Sequence, residues 1–156
     1  MNDVERFLAH AVQLEAEAAR RYEDLAAAMT TDGNRELQSF FARMAHYSRL
    51  ASSARSETKA TARCGFRELP ALAPHEFEWP DGLSPESADW VGVDAQMSQR
   101  AALELALDGE RRGHAYYAAI AATTTDIELR GIAQQFADEE AAHVQELEKL
   151  LATCPA

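Results

Sequence analysis

The sequence lacks the features that indicate a disulfide-stapled, zinc-ribbon or membrane protein. Only two cysteines occur in 156 residues. Cys64 and Cys154 stand apart, without the C-x-x-C pairs that hold zinc. No apolar run approaches the roughly 20 residues that a membrane-spanning helix needs. The first residues lack the basic-then-apolar order of a signal peptide. These absences predict a cytoplasmic protein with reduced thiols.

Basic residues are also in short supply. The chain has 15 Lys and Arg against 26 Asp and Glu, a net charge of −11. Such a charge repels polyanions, so we expect neither nucleic acid nor an anionic membrane surface as a partner. The acidic excess is ordinary for solvated helix faces. The length predicts one domain, residues 1–156, with a single core.

Glycine and proline are scarce outside one segment. Four of the five prolines lie in residues 64–92, which predicts a long irregular connection. Elsewhere, apolar residues at helical spacing predict four helices, and Thr125-x-x-Glu128 resembles a capping box at the start of the last one. The predicted helices span about 2–29, 35–62, 94–124 and 126–152. A connection this long is expected where a bundle needs a crossover between parallel neighbouring helices.

The first and last thirds of the chain read as two copies of one helix pair. When Glu15 is aligned with Glu110, Tyr22 aligns with Tyr117, and each tyrosine follows its glutamate by seven residues. Ala-rich helices match by chance fairly easily, but a repeated Glu/Tyr pair at the same spacing is harder to obtain that way. We interpret the pattern as an internal duplication.

The last helix carries Glu140-x-x-His143, whose two side chains lie about 60° apart on one face. Phe136 precedes them on that face, so the face should point into the core. Glu15 and Glu110 lie on similar Ala- and Tyr-bearing stripes. Burying carboxylates costs several kcal/mol for each unpaired charge, and no Lys or Arg lies on those stripes. A cation would neutralise them, and mixed carboxylate and imidazole ligands suit iron, manganese or zinc.

Three further residues could support such a site. Tyr22 and Tyr117 each lie two turns after a glutamate, so their hydroxyls could hydrogen-bond and orient the ligating carboxylates. Alternatively, they are core residues with satisfied hydroxyls. His114 lies one turn after Glu110, which makes it a candidate for an extra nitrogen ligand.

Three motifs resemble the rubrerythrin-like branch of the ferritin-like superfamily. They are A-x-x-x-E-x-x-A-x-x-x-Y at 11–22, A-x-x-x-E-x-x-G-x-x-x-Y at 106–117, and F-A-D-E-E-A-A-H at 136–143. The resemblance covers the chain outside residues 64–92. It implies an all-α ferritin-like four-helix bundle with a long crossover between its second and third helices. It also implies a two-metal site for dioxygen, peroxide or iron chemistry, with ligands Glu15, Glu110, Glu140 and His143.

The second helix departs from that family pattern. By the internal repeat, Ser48 and Ala51 stand where a bridging Glu and a His are expected, and neither binds iron well. The missing C-x-x-C pairs exclude a rubredoxin module. We therefore expect a reduced site with one iron per chain, zinc or manganese being the alternatives. Peroxidase or ferroxidase activity stays open, and its electron donor is unknown.

Two other interpretations remain open at this point. A metal-free structural or interaction bundle could neutralise its core with protonated Glu–Tyr hydrogen bonds and a charged His143. A homodimer, which we expect, could instead bring ligands together from two copies. The sequence does not indicate which face would associate.

Overall fold

The described part of the chain consists of four long helices. The computed structural model describes residues 3–61 and 97–154, which form α1 (Asp3–Asp32), α2 (Arg35–Thr61), α3 (Gln99–Thr123) and α4 (Ile127–Thr153). No strand occurs within those ranges. The all-α bundle is therefore confirmed. The predicted crossover at about 64–92 lies outside the described residues.

Local capping residues determine where the second pair of helices begins. The Ser98 side chain accepts a hydrogen bond from the Ala101 amide at 3.1 Å, so α3 begins at Gln99 rather than at the predicted residue 94. Asp126 caps α4 and accepts from two backbone amides. The prediction of Thr125 as the cap was wrong by one residue, because the Asp126 carboxylate can accept both amides and favours the positive helix end.

The turn between α1 and α2 depends on one glycine. Gly33 has a φ of 73°, in the left-handed region that side chains with a Cβ disfavour. The Asn34 amide donates back to the Met29 carbonyl at 3.2 Å, and the Asn34 side chain accepts from the Leu37 amide at 3.0 Å. This turn ends α1, caps α2 and makes the two helices antiparallel neighbours.

The buried apolar residues form two clusters along the bundle. One contains the later half of α1 and the earlier half of α2, with Leu103 and Leu147 from α3 and α4. The other contains the earlier half of α1 with Tyr117 and Phe136. Between the two clusters along the helices lies a set of buried polar residues that we call the polar layer: Glu15, Ser48, Glu110 and Glu140. None of the four described helices has the length and apolar character to cross a membrane.

Candidate metal centre

Within the polar layer, α3 and α4 bring two carboxylates and one imidazole together. One ligand atom each from Glu110, Glu140 and His143 lies within 4.8 Å of the other two. His143 Nδ1 is 3.3 Å from Glu110 Oε2 and 3.9 Å from Glu140 Oε2. The Glu140-x-x-His143 spacing places both α4 side chains toward α3, where Glu110 meets them. We call these three residues the triad.

The three members of the triad differ in their access to solvent. Glu110 and Glu140 are each only 4% exposed. The His143 side chain is 30% exposed, so the imidazole lies at the edge of the core and closes the site on its outer side. The carboxylates form the interior of the site.

Tyr22 connects the first helix pair to the triad. Its hydroxyl donates a hydrogen bond to Glu110 Oε1, and the tyrosine is almost fully buried. Because Oε1 accepts this hydrogen bond, the other carboxylate oxygen, Oε2, faces His143. The tyrosine thus contacts the glutamate of the opposite repeat copy. Sequence spacing alone did not indicate this crossed pairing.

Burial and neighbouring charges shift the pKa values of the three triad residues in different directions. Burial alone would raise the pKa of Glu110, but hydrogen bonds from Glu140, His143 and Tyr22 and the charge of His143 lower it overall. Burial and the neighbouring charge of Glu110 raise the pKa of Glu140 to about 8. Burial opposes charge on His143, yet the two carboxylates raise its pKa to about 11.

These shifts describe a cluster that balances its own charge with protons. At neutral pH, Glu110 is ionised, Glu140 is protonated, and His143 is cationic, so the three charges sum to zero. A divalent cation bound to all three groups would displace the protons from Glu140 and His143. The same arrangement can therefore hold either protons or a metal ion.

Other residues named from the sequence are not members of the triad. Glu15 is buried in the polar layer on α1. Among the described residues, it does not belong to the group whose ligand atoms lie close enough together to share a metal ion. Its role as a ligand stays a prediction. Tyr117 is fully buried, with its ring edge-on to Phe7 and Phe136 at centroid distances of 5.8 and 5.5 Å. His114 is half-buried and also lies outside the group.

α2 presents small side chains where the repeat predicts ligands. Ser48 is buried and Ala51 half-buried, so α2 faces the polar layer with a hydroxyl and a methyl group at the two repeat-equivalent positions. His46 is exposed. The described part of α2 therefore contributes neither a carboxylate nor an imidazole to the site.

The donor set of the triad fits a divalent transition metal. Two carboxylates and an imidazole nitrogen suit iron, manganese or zinc better than calcium or magnesium, which prefer oxygen ligands alone. Three protein ligands would leave coordination positions open for water or a substrate.

Comparison with known proteins gives one informative match. No protein-family model matches the sequence, and no curated protein matches it. The crystal structure of COG1633, an uncharacterized conserved protein from Magnetospirillum magnetotacticum, matches with a TM-score of 0.76 and 35% sequence identity. The match covers 100% of this chain and 97% of the other. The likeness therefore extends over the whole length of both proteins.

Proposed function

Because the chain belongs to the COG1633 family, within the ferritin-like superfamily, we propose that it is a non-haem metal-binding protein. It binds one divalent ion per chain through Glu110, Glu140 and His143. Iron is the first choice, with zinc or manganese as alternatives. The observation that carries the proposal is the approach of three ligand atoms to within 4.8 Å in a buried part of the bundle.

Each neighbouring side chain has a defined part in holding the ion. Tyr22 bonds one oxygen of Glu110 and so directs the other oxygen toward the site. Glu140 supplies the second carboxylate, and His143 supplies Nδ1 from the outer side. A bound iron would supply Lewis acidity and one-electron chemistry with peroxide or dioxygen at its open positions.

The site is reduced relative to a two-metal centre. Ser48 and Ala51 on α2 supply no replacement for a bridging carboxylate and an imidazole. Glu15 would lie next to the ion as a loosely held ligand. Capacity for one ion rather than two follows from this ligand count, and the same shortage of ligands argues against sustained redox turnover.

Metal analysis tests the proposal directly. Protein purified without an affinity tag and loaded with equimolar Fe(II), Zn(II) or Mn(II) should retain close to one ion per chain. Glu140→Gln and His143→Gln should each remove most of it. Glu139→Gln and His46→Gln are matched controls, because they change the same residue types outside the triad, and both should retain the ion. A wild-type protein that retains no ion after loading, or a Glu140→Gln variant that retains one ion per chain, would contradict the proposal.

A metal-free interaction or structural bundle is the second candidate. It is favoured by the charge balance of the triad, since a protonated Glu140 and a cationic His143 can neutralise Glu110 without an ion. Under this alternative, the wild type binds no metal at equimolar loading. Glu140→Gln then leaves the thermal stability nearly unchanged, because the amide preserves a hydrogen-bond donor.

A further inference from the structure

Tyr22 packs against an aromatic ring of α2. The rings of Tyr22 and Phe41 are stacked, with centroids 6.1 Å apart and planes inclined by 28°. Offset stacking at this distance is one of the arrangements that aromatic pairs prefer. Both side chains are buried, with exposed fractions of 1% and 0%. Because the Tyr22 hydroxyl also bonds Glu110, this one tyrosine connects a ring of α2 to a carboxylate of the triad.

Phe41 is itself held in place by its neighbours. The Phe40 ring meets it at a centroid distance of 5.5 Å, with the two planes inclined by 62°. On the solvent side, the exposed guanidinium of Arg43 lies over the Phe40 ring at 5.8 Å from its centroid. A close-packed interior of this kind leaves a buried ring few alternative rotamers. Phe41 therefore presents a fixed surface to Tyr22.

The two copies of the internal repeat differ at this position. The repeat alignment of α2 with α4 sets Phe41 against Ala133, which is also fully buried. Tyr117, the tyrosine of the other copy, makes T-shaped contacts with its ring neighbours. The stacked ring thus accompanies the tyrosine that bonds the triad. This difference favours a role for Phe41 at the site over simple filling of the core.

We propose that Phe41 is a positioning residue of the metal centre. Stacking on Phe41 restricts the side-chain torsions of Tyr22, which keeps the hydroxyl on Oε1 of Glu110 and leaves Oε2 facing the site. Although the described part of α2 supplies no ligand, this helix then influences how tightly the triad holds an ion. The effect on ion binding rests on the proposed function, whereas the effect on the Tyr22 hydroxyl does not.

The expected effect on ion binding is moderate. A stacked aromatic pair changes an equilibrium constant by a factor of about two to ten beyond the area that it buries. Phe41→Leu should therefore weaken metal affinity about two- to tenfold, which is less than the loss expected when the Tyr22 hydroxyl itself is removed. Phe41→Met keeps more of the side-chain volume without a planar ring, so it should fold readily and show the same loss.

A double-mutant cycle on metal affinity tests whether Phe41 acts through Tyr22. In competitive zinc titrations, Phe41→Leu should weaken binding in the wild-type background. It should cause no further loss in the Tyr22→Phe background, because no hydroxyl is left to position. Phe7→Leu is the matched control: it removes a buried ring that stacks on Phe136 at 5.7 Å in the other apolar cluster, and it should leave the affinity unchanged.

Two results of this cycle would overturn the proposal. One is an unchanged affinity in Phe41→Leu and Phe41→Met, with circular dichroism showing that the variants are folded. The other is an equal loss of affinity in the wild-type and Tyr22→Phe backgrounds, since Phe41 would then act by a route that does not include the hydroxyl.

The hydroxyl proton of Tyr22 provides a readout that needs no metal. In the metal-free wild type, this buried donor should exchange slowly with water and give a resolved proton NMR signal, which Tyr22→Phe identifies by its loss. Phe41→Leu and Phe41→Met should speed the exchange severalfold, whereas Phe7→Leu should not. If the wild type binds no ion, the proposed function fails, and the exchange rate alone decides the role of Phe41. An unchanged rate in both Phe41 variants overturns that role.

Discussion

Metal binding at the triad should release close to two protons per ion at pH 7. His143, with a pKa of about 11, is fully protonated at that pH. Glu140, with a pKa of about 8, is about 90% protonated. A divalent ion that takes Nδ1 of His143 and a carboxylate oxygen of Glu140 must displace both protons.

The sign of the pH dependence follows from those two pKa values. Below pH 8 both groups are protonated in the metal-free protein, so each unit of rising pH should increase the apparent affinity about a hundredfold. Between pH 8 and pH 11 only His143 still carries its proton, so the gain should fall to about tenfold per unit. Above pH 11 the affinity should level off.

Calorimetry in buffers with different ionisation heats counts the released protons. A titration of zinc into the metal-free protein at pH 7 should give a value near two, and the same titration at pH 9 should give a value near one. An NMR titration of the metal-free protein provides the control, since the His143 ring should stay protonated at pH 9. Release of fewer than one proton at pH 7 would refute the charge assignment within the triad.

Three further predictions concern single features. Tyr22→Phe removes the hydroxyl that orients its glutamate partner and should weaken metal affinity about ten- to a hundredfold in a competitive titration; an unchanged affinity would deny that role. Ser48→Glu combined with Ala51→His should raise metal uptake toward two ions per chain, and no increase would mean that the repeat alignment of α2 is out of register. Gly33→Ala should lower the free energy of unfolding by about 1 kcal/mol in urea titrations because of its positive φ. Gly131→Ala, a helical control with open space around the added methyl group, should not lower it.

The sequence predicted the parts of the structure that depend on helical spacing. The 3.6-residue period determines which side of a helix is apolar, so it indicated that Glu110, Glu140 and His143 would face inward. It also indicated the four helices, because long Ala- and Leu-rich stretches contain few breaking residues. The α4 start was wrong by one residue because Thr125 and Asp126 compete for the same amides, and only the backbone geometry decides between them.

Contacts between helices were harder to predict. The pairing of Tyr22 with Glu110 depends on the rotation and axial offset of α1 against α3, which the sequence of neither helix specifies. The same uncertainty applies to Glu15: its spacing indicates burial, which the structure shows, but burial alone does not determine its distance from the triad.

The polar layer also fixes the relative alignment of the two helix pairs. If one pair moved along the other by a single turn, about 5.4 Å, Glu110 and Tyr22 would separate, and a carboxylate would be left against leucine and phenylalanine side chains without a donor. Apolar side chains tolerate such sliding far better, because one leucine can replace another at small cost. Two helix pairs with purely apolar contacts could therefore pack at several axial offsets. In this chain the polar layer favours a single offset, even before an ion binds.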